Sequence, residues 1–255
     1  MNSIPCVILA GGKGTRLAEE TTSIPKPMLD VGGKPLLQHV MDIYMMQGVN
    51  NFIIPVGHKK EYVYGYFHSI HPINVSVNMG DTSFDYHGYR VRVVDTGEDT
   101  LTGGRLARLE YLLRHTAFHF TYGDGLGNVN IRKVYSAIEG AYDLACITTV
   151  HPEGRFGRAI ITDQDRVVKF GEKVESETDW INGGFSVLRW EILSSVLLHG
   201  GDQCNLEKDI YPLIAASNFM TTVRHTGFWH CVDTLRDLED IRHTYDKEGA
   251  VWLKL

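Results

Sequence analysis

Apolar positions fall into two rhythms along this chain of 255 residues. Short unbroken runs mark strands buried on both faces, and apolar residues three and four apart mark the helices between them. The runs are CVILA at 6–10, FIIPV at 52–56, VRVV at 91–94, FHFTY at 118–122 and the segment 144–150. Helical spacing links Leu36, Leu37, Val40, Met41, Tyr44 and Met45, with Gly48 placed to end the helix. It returns over 61–70 and over 104–115, where Leu106, Leu109, Leu112 and Leu113 share a face. This alternation predicts an α/β fold: a Rossmann-like mixed, mainly parallel sheet with helices on both faces.

The rhythm changes near His151. Shorter strands are expected at 159–161 and 167–170, forming a small β-rich lobe for a second substrate, followed by helices over 191–198, 206–216 and 235–247. With no Pro/Gly/Ser linker, repeat or low-complexity block, one domain over 1–255 is expected. Its 1–150 part would serve mainly a nucleotide, and 151–255 would hold the substrate lobe and the last helices.

Composition narrows the class. A net charge of −6 and the lack of a polybasic tract argue against a nucleic-acid partner. The chain has no apolar stretch of membrane-spanning length and no basic leader before its first apolar run, so a cytoplasmic location is expected. Cys6, Cys146, Cys204 and Cys231 are far apart without a CxxC pair, which predicts free thiols. Neither His68/His71 nor His225/His230 has the companions a metal site needs.

The chemistry starts where the first strand empties into Gly11, Gly12, Lys13, Gly14, Thr15 and Arg16, with Lys26 between two prolines soon after. Glycines let backbone N–H groups converge on phosphate oxygens, and Lys13, Arg16 and Lys26 add positive charge, so a nucleotide is the expected ligand. Neither common phosphate loop fits. A GxGxxG reading from Gly12 meets Leu17 at its last position, and no Gly-Lys-Ser/Thr closes a P-loop. By itself the segment also reads as an ordinary glycine-rich turn. Asp124, between Gly123 and Gly125 at the end of the 118–122 run, would stand at the carboxyl edge of the sheet, where ligands of open α/β sheets bind. There it suits a Mg²⁺ ligand or a plain Asp-Gly turn.

The motifs LAGGKGTRL, PKPM, GGKPLL, YGDG, EK, WINGGF and FWHCVDTLRD occur in the order used by the sugar-1-phosphate nucleotidyltransferases, and the chain resembles that family over nearly its whole length. DTGEDTLTGGR at 95–105 and GFW at 227–229 ahead of DTLRD at 233–237 resemble its glucose-1-phosphate cytidylyltransferase branch. The resemblance implies the nucleotide-diphospho-sugar transferase type of fold. It also implies cytidylyl transfer from CTP to a sugar 1-phosphate with Mg²⁺ as cofactor, and a homo-oligomer, with a hexamer as one size.

By the same resemblance, Leu9, Ala10, Gly11, Gly12, Gly14, Thr15 and Arg16 hold the triphosphate, and Arg16 and Lys26 grip the reacting phosphates. Lys13 reads equally as a solvent-facing charge. Asp124 and Asp233 would share the metal, although Asp233 also reads as the N-cap of the following helix, a role Thr234 fits as well. Thr102, Gly103, Gly104 and Arg105 are expected to recognise the nucleotide, with backbone groups on the pyrimidine edge and Arg105 on base or phosphate. The two glycines also read as the opening of the Leu106 helix. The sugar phosphate falls to Glu172, Lys173, Trp180, Asn182 and Gly183, whereas Phe185 is expected in the core.

The chain departs from the family pattern in three places: Val174 follows the EK pair where proline is usual, Arg158 follows RFG where a small residue is usual, and HCV at 230–232 replaces QPM. The CTP motifs survive better than the glucose motifs. A different phosphorylated acceptor, a thymidylyl or uridylyl transferase, and a non-catalytic nucleotide-binding module therefore stay open beside the main reading.

Overall fold

Side chains of the first strand, Cys6–Leu9, alternate between two cores: Cys6 and Ile8 join one, Val7 and Leu9 the other. That is why its sequence is apolar throughout instead of alternating with polar residues. The computed structural model describes residues 4–14, 23–78, 80–139, 142–151, 158–161, 167–171 and 180–255, with 158–161 and 167–171 described by backbone alone.

Nine strands form one sheet, in the order Met220–Arg224, Ala145–Val150, Ile181–Arg189, Ala117–Tyr122, Cys6–Leu9, Asn51–Val56, Tyr89–Asp95, Asp81–Tyr86 and Asn74–Asn78. Cys6–Leu9 runs parallel to both of its neighbours. Seven of the nine strands point one way; Asp81–Tyr86 and Ile181–Arg189 are the two reversed. The sheet is thus mixed and mainly parallel, as the run pattern predicts. Helices Leu36–Met45, Lys60–Ser69, Ile131–Ile138 and Leu235–Glu248 cover one face. Thr102–Ala107, Glu110–Leu113, Ile192–Leu198 and the π-turn Leu206–Ile210 running into Tyr211–Ala216 cover the other. No helix among the described residues is long and apolar enough to cross a membrane.

Helix Leu36–Met45 buries the face its spacing marked, and Gly48 follows it with φ +94°. The helix expected over 104–115 starts at Thr102 and breaks at Leu109, whose φ of −96° and ψ of 4° leave the α region, so Glu110–Leu113 is a separate turn. Four strands of the sheet lie outside the five apolar runs: Asn74–Asn78, Asp81–Tyr86, Ile181–Arg189 and Met220–Arg224. The hairpin Asn74–Asn78 with Asp81–Tyr86 is rich in Asn, Ser, Thr and Asp because its outer strand is exposed. Ile181–Arg189 carries Asn182, Gly183 and Gly184, residue types that strands disfavour, and the ladder register shifts opposite them between Ile147 and Thr149. This strand joins the main sheet instead of the separate lobe, which is represented by the antiparallel pair Arg158–Ile161 and Val167–Gly171. All four cysteines are free thiols.

Candidate active site

Chain connections diverge on either side of Cys6–Leu9, toward Asn51–Val56 on one side and Ala117–Tyr122 on the other. A crevice outside the carboxyl ends of such strands is where open α/β sheets bind ligands. Here it is a cleft of about 820 Å³ whose walls include residues 9–14, 98–102, 121–125, 182–184, Asn205, Glu207 and Lys208.

At its base, Lys26 Nζ donates to Asp124 Oδ2 and to Asp233 Oδ1, both at 2.7 Å. The three residues come from distant parts of the chain. Lys26 opens the short turn Lys26–Met28 between its prolines. Asp124 follows Ala117–Tyr122, and Gly123 N–H donates to Leu9 O at 3.0 Å, locking that strand end against the first strand. Asp233 is held by the next helix. Thr234 is its N-cap and Asp237 completes a capping box, so the cap falls to Thr234, and the Asp233 carboxylate meets Lys26. Burial works against the Lys26 ammonium, but Asp124 and Asp233 outweigh it and raise its pKa. One Asp124 oxygen, one Asp233 oxygen and Cys231 Sγ lie within 4.8 Å of one another. Burial, then the two carboxylates, push the Cys231 thiol up, which keeps it neutral.

Arg105 lines the cleft, and its guanidinium is already engaged by the protein itself. Its guanidinium, 4% exposed, donates to Gly97 O at 2.7 Å, Gly11 O at 2.8 Å, Thr96 Oγ1 at 2.8 Å, Val56 O at 3.1 Å and Glu98 O at 3.3 Å. Through Nη1 and Nη2 the side chain ties the glycine loop to the 96–98 segment. A Cβ at position 11 would lie 2.4 Å from Arg105 Nη1, so a larger residue there must displace the guanidinium from these bonds. The backbone of Gly103 and Gly104 is also committed: both N–H groups donate to Cys204 O, at 3.0 and 3.2 Å. A Cβ on Gly104 would lie 2.5 Å from Asp202 O. These amides pack the helix start onto the 201–204 turn instead of facing a pyrimidine edge.

Thr102 has a different place. Its Oγ1 donates to Glu207 Oε2 at 2.7 Å and accepts from Leu206 N–H at 2.9 Å, while Tyr122 O–H donates to Glu207 Oε1. Glu207 therefore joins the two halves of the cleft. Sequence reasoning missed it, because NLEKD carries no recognisable signature; Tyr122 beside the GDG segment was the one available signal. At the mouth, Lys13 Nζ meets Asp99 at 2.6 Å, and both side chains are exposed.

On the far wall, Asn182 Oδ1 accepts from Gly184 N–H at 3.0 Å, and Gly183 O accepts from Trp229 Nε1 at 2.9 Å. Asn182, Gly183 and Trp229 line the cleft. Trp180 does not line it: its ring lies 3.9 Å from that of His151, with Arg224 Cζ 5.3 Å from its centroid. Phe185 is in the core, stacked on Tyr44. Leu9, Ala10, Gly11, Gly12 and Gly14 line the near wall. Thr15, Arg16, Glu172, Lys173 and Val174 lie outside the described residues, as does the Arg158 side chain. The cleft thus offers a glycine-lined wall, two carboxylates around an ammonium, and an amide-lined wall opposite.

Residues 6–89 match the family described as nucleotidyl transferase. The chain is 38% identical to glucose-1-phosphate cytidylyltransferase of Salmonella typhi, over 96% of this chain and 97% of that protein. It is 34% identical to a probable glucose-1-phosphate cytidylyltransferase of Bacillus subtilis, over 96% and 98%. Among solved structures it is similar to HddC from Yersinia pseudotuberculosis, with a TM-score of 0.69, 24% identity, and coverage of 95% of this chain and 99% of that one.

Proposed function

This chain belongs to the sugar-1-phosphate nucleotidyltransferase family, and from that premise we propose that it transfers a cytidylyl group from CTP to α-D-glucose 1-phosphate, releasing CDP-glucose and pyrophosphate. The observation that carries the reading is the convergence of Asp124, Asp233 and Lys26 beside the glycine-lined wall. A phosphate oxygen of the sugar phosphate bonds to the α-phosphorus of CTP as the bond to pyrophosphate breaks. With a second ionisation near ~6, the attacking phosphate is mostly dianionic at neutral pH, so no general base is required.

The demand is instead for positive charge where negative charge gathers. Lys26, holding its proton firmly, supplies one such charge. Asp124 and Asp233 would hold Mg²⁺: two hard carboxylate oxygens converging on one point fit that ion, and the ammonium between them marks a place where positive charge is stabilised. When bound, the ion would act as a Lewis acid toward phosphate oxygens. Asn182, whose amide can donate and accept, and Gly183 are assigned to the sugar. Arg16, Glu172 and Lys173 keep the roles the resemblance implies, as does a cytoplasmic homo-oligomer.

Uridylyl or thymidylyl transfer is the second reading, favoured by the engagement of the Gly103 and Gly104 amides, which leaves base choice to other groups. Pyrophosphate release with CTP, Mg²⁺ and a panel of sugar 1-phosphates tests the proposal. Fastest release with glucose 1-phosphate supports it, fastest release with another sugar overturns the acceptor, and CTP binding without release on any acceptor overturns the activity.

A further inference from the structure

Strand Trp229–Cys231 pairs antiparallel with Gly125–Gly127, and the register sets Cys231 opposite Gly125. Val232 N–H donates to Asp124 O at 3.0 Å, so the backbone fixes the thiol beside Asp124. Asp233 follows two residues later and converges on the same point: one oxygen from each aspartate and Cys231 Sγ lie within 4.8 Å of one another. Gly125 has no side chain to cover this corner, and apart from its chain neighbours a Cβ there would meet no atom of the described residues within 4 Å. Cys6, Cys146 and Cys204 are fully buried, and of the four cysteines only Cys231 lines the cleft. It is also a position at which this chain leaves the family pattern, where proline is usual.

Two carboxylates suit a hard ion, but Mg²⁺ takes oxygen ligands and has no use for sulfur, so a thiol in this place answers a different ion. We propose that Asp124, Asp233 and Cys231 form a mixed oxygen–sulfur site that binds a zinc-class divalent cation, in competition with Mg²⁺ at the same two carboxylates. Thiolate and carboxylate are both ordinary ligands of Zn²⁺. The pull on positive charge is already visible, since Lys26 Nζ sits 2.7 Å from both aspartates. A carboxylate has about four acceptor positions, so each can keep Lys26 and meet an ion as well. Donors around one ion lie about 3–4 Å apart, so side-chain rotation closes a set that lies within 4.8 Å. Binding exchanges the thiol proton for the cation, and the proton leaves to solvent. Mg²⁺ would use the oxygens without the sulfur, so Cys231 makes the reaction centre sensitive to zinc-class ions. The inference rests on the reading of Asp124 and Asp233 as metal ligands and not on the choice of nucleotide or acceptor.

Cobalt(II) serves as the spectroscopic probe for zinc, because a bound thiolate gives it an intense sulfur-to-cobalt charge-transfer band in the near ultraviolet. Adding Co²⁺ to the nucleotide-free wild-type protein should produce that band at one ion per chain, and Zn²⁺ should bleach it. Cys231→Ser should lose the band and bind Zn²⁺ at least about 10–100-fold more weakly, the scale on which even the outer partners of a metal ligand act. Mg²⁺ should still raise the melting temperature of that variant as it does for wild type. Asp124→Asn with Asp233→Asn should lose both the band and the Mg²⁺ effect. A Mg²⁺ effect without a Co²⁺ band in wild type would overturn the mixed site and leave the Mg²⁺ reading standing. A band that survives in Cys231→Ser or in the double aspartate variant would place the cation elsewhere and overturn it as well. Absence of both the band and the Mg²⁺ effect in wild type would overturn the two readings together.

Discussion

Replacing Arg105 with Met should loosen the ligand-free protein before it touches catalysis. The guanidinium makes five hydrogen bonds, three of them at 2.7–2.8 Å, to Gly97 O, Gly11 O and Thr96 Oγ1. Bonds from a charged donor contribute about 1.5–3 kcal/mol each, and a methionine leaves the acceptors without partners. Water entering from the cleft recovers part of that loss. Counting only the three short bonds at the lower end gives a destabilisation of about 4.5 kcal/mol. At a urea slope of about 3 kcal/mol/M, the midpoint falls by somewhat more than 1 M. Arg105→Lys should keep less than half of the wild-type contribution, because one ammonium cannot span the glycine loop and the 96–98 segment as a fork does. The KM for CTP should rise with the loss of stability, since the two cleft segments are no longer held together. Urea unfolding without ligand separates this account from direct ligand contact. If Arg105→Met lost CTP binding while its unfolding free energy stayed within about 1 kcal/mol of wild type, the tie between loops would be refuted.

Three further outcomes follow from the site and the core. Asp124→Asn and Lys26→Met should each lower turnover by about 10²–10³ in the pyrophosphate assay with the far-UV circular dichroism unchanged, and near-normal turnover in either removes its assigned role. Mg²⁺ should raise the melting temperature of wild-type protein without nucleotide, an effect that Asp233→Asn should abolish; equal shifts in both would place the ion elsewhere. Acid should destabilise the fold through His119, which is 1% exposed and whose pKa burial pushes down to about 4. The unfolded imidazole binds a proton near 6.5, so between pH 6.5 and 4 the unfolded state holds more protons and stability falls, by about 3 kcal/mol in total. Denaturation midpoints across that range should flatten in His119→Gln.

The parallel centre of the sheet was legible because its strands are buried on both faces and therefore continuously apolar, as Cys6–Leu9 and Asn51–Val56 are. The edge hairpin was not, because an exposed strand such as Asn74–Asn78 has no need of apolar residues on both faces. Ile181–Arg189 was hidden by glycines that the ladder accommodates at an irregular register. Within the cleft, Asp124 and Lys26 stood in short motifs next to strand ends, where glycines and prolines fix the backbone. Arg105 was singled out for a ligand, but a sequence does not reveal that five protein acceptors also surround it. Glu207 was invisible: its place depends on Thr102 and Tyr122, 105 and 85 residues away.

The central proposal is that this cleft joins CTP to glucose 1-phosphate. Its most direct test is one incubation of the protein with Mg²⁺, glucose 1-phosphate and equal concentrations of CTP, UTP, dTTP and GTP, with the nucleotide sugars resolved by mass. CDP-glucose as the dominant product is the predicted result. A dominant UDP-, dTDP- or GDP-glucose, or no nucleotide sugar at all, would contradict it.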